Sequence, residues 1–266
     1  MSPDELMVLV GAGAFGLVWW VVWAVRLIPL AGAPSRRRGL VGLMASLAAS
    51  VAIVGTVLLT ASASDVRTAP QYLVMYGLLG LAWLRLGEFF LAFAGVSARD
   101  DVIERGNQAA IPAVGGALVA VACCYAGGNI GEGPGWWVVV FSAALATVAL
   151  GLVWIFLDFM TDAFETVTVD RDLAAGVRLG GFLIACGLIF GRAVAGNWVS
   201  VGNTIIDFIQ VAWFAVPLVI AAVAIERLSR PTPSRPQLPV VAFGLLPAAV
   251  FIGAAAAYLI LLGLPA

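Results

Sequence analysis

Apolar residues run along this chain in long blocks that are neither alternating nor one-faced, and polar residues are confined to short breaks between them. A helix needs about 20 apolar residues to cross the hydrocarbon core of a bilayer. Eight stretches meet that length: Leu6–Leu30, Gly39–Ala61, Gln71–Ala94, Ala109–Ile130, Trp136–Met160, Ala174–Ala195, Thr204–Glu226 and Val240–Leu264. The breaks hold Gly, Pro, Asn or clustered charge, as helix interruptions do. Pro112 and the Gly127-Gly128 pair are expected to shorten or kink the fourth span, and Pro217 and Pro247 to bend the seventh and eighth.

The odd-numbered spans begin near residues 6, 71, 136 and 204, so one helical hairpin recurs every 65–68 residues. The two middle units agree residue by residue. One reads Glu104-Arg105-Gly106-Asn107-Gln108-Ala109-Ala110 followed by Gly115-Gly116 and Ala120. The other reads Asp170-Arg171-Asp172-Leu173-Ala174-Ala175 followed by Gly180-Gly181 and Ala185. Two spans per unit make every unit enter the membrane from the same side, which gives parallel rather than inverted repeats. The fold class expected is an all-α polytopic membrane protein of about eight transmembrane helices in four hairpins. The units are residues 1–66, 67–132, 133–200 and 201–266, the outer two degenerate, within one integral membrane domain.

Composition agrees with this class and removes several chemistries. The chain is 62% apolar and 11% charged, against about 45–50% and about 25% for soluble domains. All 14 basic residues are Arg, and there is no Lys or His. That excludes a retinal or pyridoxal Schiff base, a phosphate-loop Lys, His-ligated haem or zinc and a Ser-His pair. The net charge of −1 indicates no nucleic-acid partner. Cys123, Cys124 and Cys186 lie inside apolar segments and read as small buried residues. The start of the chain, with Asp4 and Glu5, lacks the basic region of a cleavable signal peptide. Gly11-Ala12-Gly13-Ala14-Phe15-Gly16 satisfies G-x-G-x-x-G, but no acid follows at the Rossmann spacing and the apolar span simply continues, so helix packing explains it.

Arginine placement sets orientation. Arg26, Arg36, Arg37, Arg38, Arg99, Arg105, Arg171, Arg227, Arg230 and Arg235 flank the loops after odd spans, and only Arg67 and Arg192 lie on the other side. The loops after odd spans are therefore expected to be cytoplasmic and both termini extracytoplasmic. The tract from Arg227 to Pro239, with Pro231, Pro233 and Pro236, reads as an extended cytoplasmic linker. Small residues recur at packing spacing in the even spans: Ala45, Ala49 and Ala52; Ala113 and Ala117; Gly116 and Ala120; Gly176 and Gly180; Gly187 and Gly191. The odd spans carry most of the Trp. The even spans are thus expected to pack centrally and the odd ones to face more lipid.

From Tyr72 to about Trp198 the chain resembles domain-of-unknown-function family 350, the YjfL-like inner-membrane proteins of bacteria. The resemblance rests on the charged run into Gly106-Asn107-x-Ala109-Ala110, on Gly115-Gly116, on the Trp136-Trp137 opening, and on the second signal Arg171-Asp172-Leu173-Ala174-Ala175-Gly176. That second copy has Asp172-Leu173 where the pattern has a Gly-Asn pair. The resemblance implies a bacterial inner-membrane location and a component of an envelope or stress-response system, with no assigned reaction.

Charged residues inside a span are functional candidates by default. Arg85 and Glu88 share a face of the third span. Asp158, Asp162 and Glu165 share one at the end of the fifth, and Arg178 lies one turn into the sixth. Arg85 and Arg178 with Glu88 and Asp158 would form a self-neutralising network, or alternatively a proton or cation path. Asp158, Asp162 and Glu165 lack the spacing of a Ca²⁺ loop and read as solvated charge rather than a metal site. Outside, Asn129, Glu132, Arg192, Asn197, Asn203, Asp207 and Gln210 form a milder polar set, in which Arg192 is expected to pair with Asp207 as an interfacial cap or the mouth of a small-solute site. The function expected is a non-enzymatic helical scaffold without cofactors; the alternative is a proton- or cation-conducting channel or small-solute transporter. Its expected partners are the lipid bilayer, further copies of itself and a cytoplasmic peripheral protein.

Overall fold

The computed structural model describes residues 1–27, 32, 34–93, 95–230, 238–263 and 265. Its helices are α1 (Pro3–Leu27), α2 (Pro34–Thr60), α3 (Ser64–Thr68), α4 (Pro70–Phe93), α5 (Ala110–Gly127), α6 (Trp136–Thr161), α7 (Ala163–Thr168), α8 (Leu173–Ala193), α9 (Val201–Ala212), α10 (Ala215–Leu228) and α11 (Leu246–Leu262), with π-helical turns at Ala98–Glu104 and Val241–Leu245. Among the described residues there is no strand, only an isolated bridge between Ser62 and Gly131. Among the described residues six helices are long and apolar enough to cross a membrane, or up to seven if the bent pair α9–α10 is one span. Helix α4 has 24 residues and holds Arg85 and Glu88. Arg235 and the linker prolines fall on residues 231–237, outside the described residues.

The centre of the bundle is the α5–α8 pair. A Cβ built on Gly116 would collide with Gly180, one on Gly127 with Gly191, one on Gly176 with the Ala109 carbonyl and one on Gly187 with Ala120. Residue numbers rise together along both helices, so they run parallel with backbones in contact, as small residues permit. Ser46 and Gly42 of α2 pack on Gly115 and Ile111 of α5, and Ala248 of α11 packs on Gly181 of α8. The four helices α2, α5, α8 and α11 therefore form a row.

That row corrects one expectation. In the most apolar window of α5 and α8, 83% and 78% of residues are buried, but in α2 and α11 only 17%. A row has two ends, and the end helices have a neighbour on one side only; small residues mark contact there, not centrality.

A second row packs on the first. Trp20 Nε1 donates to the Leu81 carbonyl at 2.8 Å, joining α1 to α4, and Trp83 Nε1 to Thr147 Oγ1 at 3.0 Å, joining α4 to α6. Arg227 Nε donates to the Met160 carbonyl at 3.2 Å, joining α10 to α6. The G-x-G-x-x-G string lies in α1 with Gly16 3.2 Å, as a Cβ distance, from the Ala82 backbone nitrogen, which is the packing role expected of it.

The turns into α5 and α8 share one geometry. Gly106 and Arg171 both adopt left-handed backbone, φ 60° and 56°. The following Asn107 and Asp172 side chains each accept from the amide two residues on, Ala109 and Ala174, at 3.0 Å. Asp172 thus stands where Asn107 stands, because either side chain supplies the oxygen that caps a helix. Arg171 likewise stands where Gly106 stands.

Proline effects differ by position. Pro112 sits in the first turn of α5, where its missing N–H costs nothing, and α5 runs unbroken to Gly127. Pro217 lies inside the seventh stretch, so it removes the hydrogen bond to the Trp213 carbonyl four residues back; the chain bends 45° between α9 and α10 at that point. Pro247 opens α11 directly after the π-helical turn.

Replacing Gly127 by Ala should force α5 and α8 apart and cost about 1–3 kcal/mol, read as a lowered thermal midpoint in detergent. Gly151→Ala, where a Cβ meets nothing within 4 Å, should not lower it.

Candidate functional site

Arg178 is 1% exposed and lies in α8. Its Nε donates to Glu226 Oε1 at 2.8 Å and its Nη2 to Glu226 Oε2 at 2.6 Å, a two-pronged pair with the last turn of α10. Its Nη1 donates to the Phe243 carbonyl. Pro247 explains that acceptor: it has no N–H to offer the carbonyl four residues earlier, which is Phe243. One guanidinium therefore ties α8 to α10 and to the turn leading into α11. Planar bidentate geometry makes Arg, not Lys, the residue for this role.

The expected partners of Arg178 were Glu88 and Asp158, and both are engaged elsewhere. Glu88 pairs with Arg85 one turn away on α4, and Trp23 Nε1 of α1 donates to its Oε1 at 3.3 Å. Arg85 also lies 5.6 Å from the centre of the Trp19 ring, a cation–π distance. Asp158 Oδ1 accepts from the Phe164 amide at 2.8 Å and so braces the break between α6 and α7. Asp162, at that break with φ 51°, is exposed and pairs with Arg230 at 3.0 Å. The expected single network is thus a set of separate local pairs. Glu226 closes an apolar stretch, so in the sequence it marks a span boundary. The signal that finds it is the need of buried Arg178 for an acid on a neighbouring helix.

At the opposite end of the bundle, where α5 and α8 finish, lies a cavity of about 200 Å³. Glu5, Asp65, Glu132 and Asp207 line it, with Tyr72, Tyr76 and Trp198, and no Arg is among the lining residues. Its wall is stitched together by hydrogen bonds: Ser64 N to Glu132 Oε1 at 2.9 Å, Glu132 N to Asn197 Oδ1 at 2.9 Å, Trp198 N to the Glu132 carbonyl at 2.8 Å and Gly196 N to the Ile130 carbonyl at 3.0 Å. Of the outer polar set, Asn129, Glu132, Asn197 and Asp207 line the cavity. Asn203 instead caps α9 with Ser200, and Gln210 is exposed on α9. Arg192 donates to the Gly263 carbonyl at 3.2 Å, and among the described residues no ion pair joins it to Asp207. Its reach is toward the end of α11, the neighbour of α8 in the row, which corrects the expected pairing. Glu5, Asp65, Tyr72 and Tyr76 were not in the expected set, since they come from three separate stretches that only the fold brings together.

This architecture defines an all-helical membrane protein whose centre is the α4–α8 segment. Residues 66–194, which hold that centre, match the family described as Domain of Unknown Function (DUF350). No curated protein and no solved structure matches the chain.

Removing one side of the Arg178–Glu226 pair should leave a buried charge unmatched. Glu226→Gln and Arg178→Met are each expected to cost about 3–5 kcal/mol. The double variant Arg178→Met with Glu226→Met should recover most of that loss. Thermal denaturation of the four proteins in one detergent checks it.

Proposed function

We propose that this protein is a non-enzymatic helical scaffold of a bacterial cytoplasmic membrane, part of an envelope or stress-response system. It assembles with further copies of itself or with a cytoplasmic peripheral protein. The observation that carries this reading is the pairing of its buried charges: Arg178 donates from each of its three nitrogens, to Glu226 and to Phe243, and Glu88 is held by Arg85 and Trp23. Charges so matched hold helices together at tolerable cost within a membrane. The backbone contact of α5 with α8 is likewise a device for assembly.

In this reading the chain crosses the membrane eight times as four parallel hairpins, with α4 as a full span whose Arg85 and Glu88 neutralise each other. The matched turns at Gly106-Asn107 and Arg171-Asp172 support the repeat. Orientation follows the Arg-rich loops, so both termini and the acidic cavity face outward. A second reading, a cation- or proton-conducting path or a small-solute transporter, draws on the intramembrane Arg85, Glu88, Asp158 and Arg178 and on that cavity.

Proteoliposome flux separates the two. Purified protein under imposed proton, sodium or potassium gradients should conduct no more than empty vesicles. A gradient-driven flux abolished by Glu88→Gln or Asp158→Asn would overturn the scaffold reading.

A further inference from the structure

The geometry points to the acidic cavity as a binding site for a small organic cation carrying more than one ammonium group. Four carboxylates surround it. Glu5 already has partners in the Ser2 amide, the Tyr72 hydroxyl and the N-terminal ammonium of Met1, 4.0 Å away, so the attraction rests on Asp65, Glu132 and Asp207. Glu132 and Asp65 receive only backbone amides, from Ser64 and Val66, and the Asp207 carboxylate has no hydrogen bond or ion pair among the described residues. No positive side chain lines the cavity.

A second, independent observation is a pair of side chains more than nine-tenths buried whose hydroxyls have no protein partner. Tyr76 is 6% exposed and Ser142 3% exposed; both line the cavity, and neither side chain makes a hydrogen bond among the described residues. The Tyr76 hydroxyl lies within electrostatic reach of Asp65, Glu5 and Tyr72. Neither hydroxyl is sealed from the cavity both residues line, so a molecule held there can supply the partner that polar groups away from bulk water ordinarily have. Both can accept from N–H donors.

Size and layout select the class of cation. Among the described residues no three His, Cys, Asp or Glu side chains gather closely enough to hold a metal ion, whereas a bare Ca²⁺ draws 6–8 oxygens to about 2.3–2.6 Å. A cavity of about 200 Å³ with its carboxylates apart suits an extended molecule with separated charges. Tyr72, Tyr76 and Trp198 in its wall offer ring faces to alkylammonium groups. This site stands apart from the scaffold reading, since binding requires neither conduction nor assembly.

Calorimetric titration of the full chain in phosphatidylcholine nanodiscs with putrescine and with spermidine tests it. Saturable binding at one site per chain is expected, weakened by added salt. Asp65→Asn and Asp207→Asn should each weaken it by about fivefold. Tyr76→Phe, which removes only a hydroxyl, should weaken it with no change in circular dichroism. Asp162→Asn, at the other end of the bundle, should leave it unchanged. Absence of saturable binding by the native chain would overturn the inference. So would affinities unaltered by both aspartate variants, or Mg²⁺ displacing the amines at lower concentration than the amines themselves require.

Discussion

The approach of α5 to α8 is the constraint from which the rest of the bundle follows. Two parallel helices touch backbone to backbone along their length, and any Cβ at Gly116, Gly127, Gly176 or Gly187 would meet main-chain atoms of the other. In a hydrocarbon solvent, apolar burial gives helices little reason to associate, so close van der Waals contact has to supply it. The pair then presents two outer flanks, which α2 and α11 occupy, and one broad face on which α4, α6 and α10 lie, with α1 packed on α4. The exposed apolar side chains of the end helices are a consequence of that row.

The buried charges act within this frame. An unmatched Arg within a span is costly, yet Arg178 joins three segments in one residue because its three nitrogens reach acceptors on two other elements. The Phe243 carbonyl is available because Pro247 withholds an N–H, so a proline that breaks one hydrogen bond makes room for another between helices. Arg85, Glu88, Trp19 and Trp23 join α1 to α4 on the far side of the bundle in a similar way. Both clusters cross between helices, which is how polar groups contribute most to a membrane fold.

Much of the plan was legible in the chain. Apolar block length located every long helix, small-residue spacing located the α5–α8 contact, and Pro217 located the bend. The capping turns were legible as repeated letters, although only geometry shows that Asp172 replaces Asn107. What escaped was pairing across distant segments. Glu226 and Arg178 are 48 residues apart and have no sequence signal in common. The cavity draws Glu5, Asp65, Tyr76, Glu132 and Asp207 from both flanks and the middle of the chain, and of these only Glu132 and Asp207 stand out in the sequence as an outer polar set. Centrality escaped too, since α2 and α11 carry the same small residues as α5 and α8 and differ only in having one neighbour.

The central claim is that α5 and α8 run parallel and finish at the same face. Accessibility of single cysteines to an impermeant maleimide tests this most directly, with Cys123, Cys124 and Cys186 replaced by Ala. Gly133→Cys and Val199→Cys, just beyond the two helix ends, should label from one side of the membrane. Asp100→Cys and Asp170→Cys, just before the two helix starts, should label only from the other. Labelling of positions 133 and 199 from opposite sides would contradict the parallel pair and the bundle built on it.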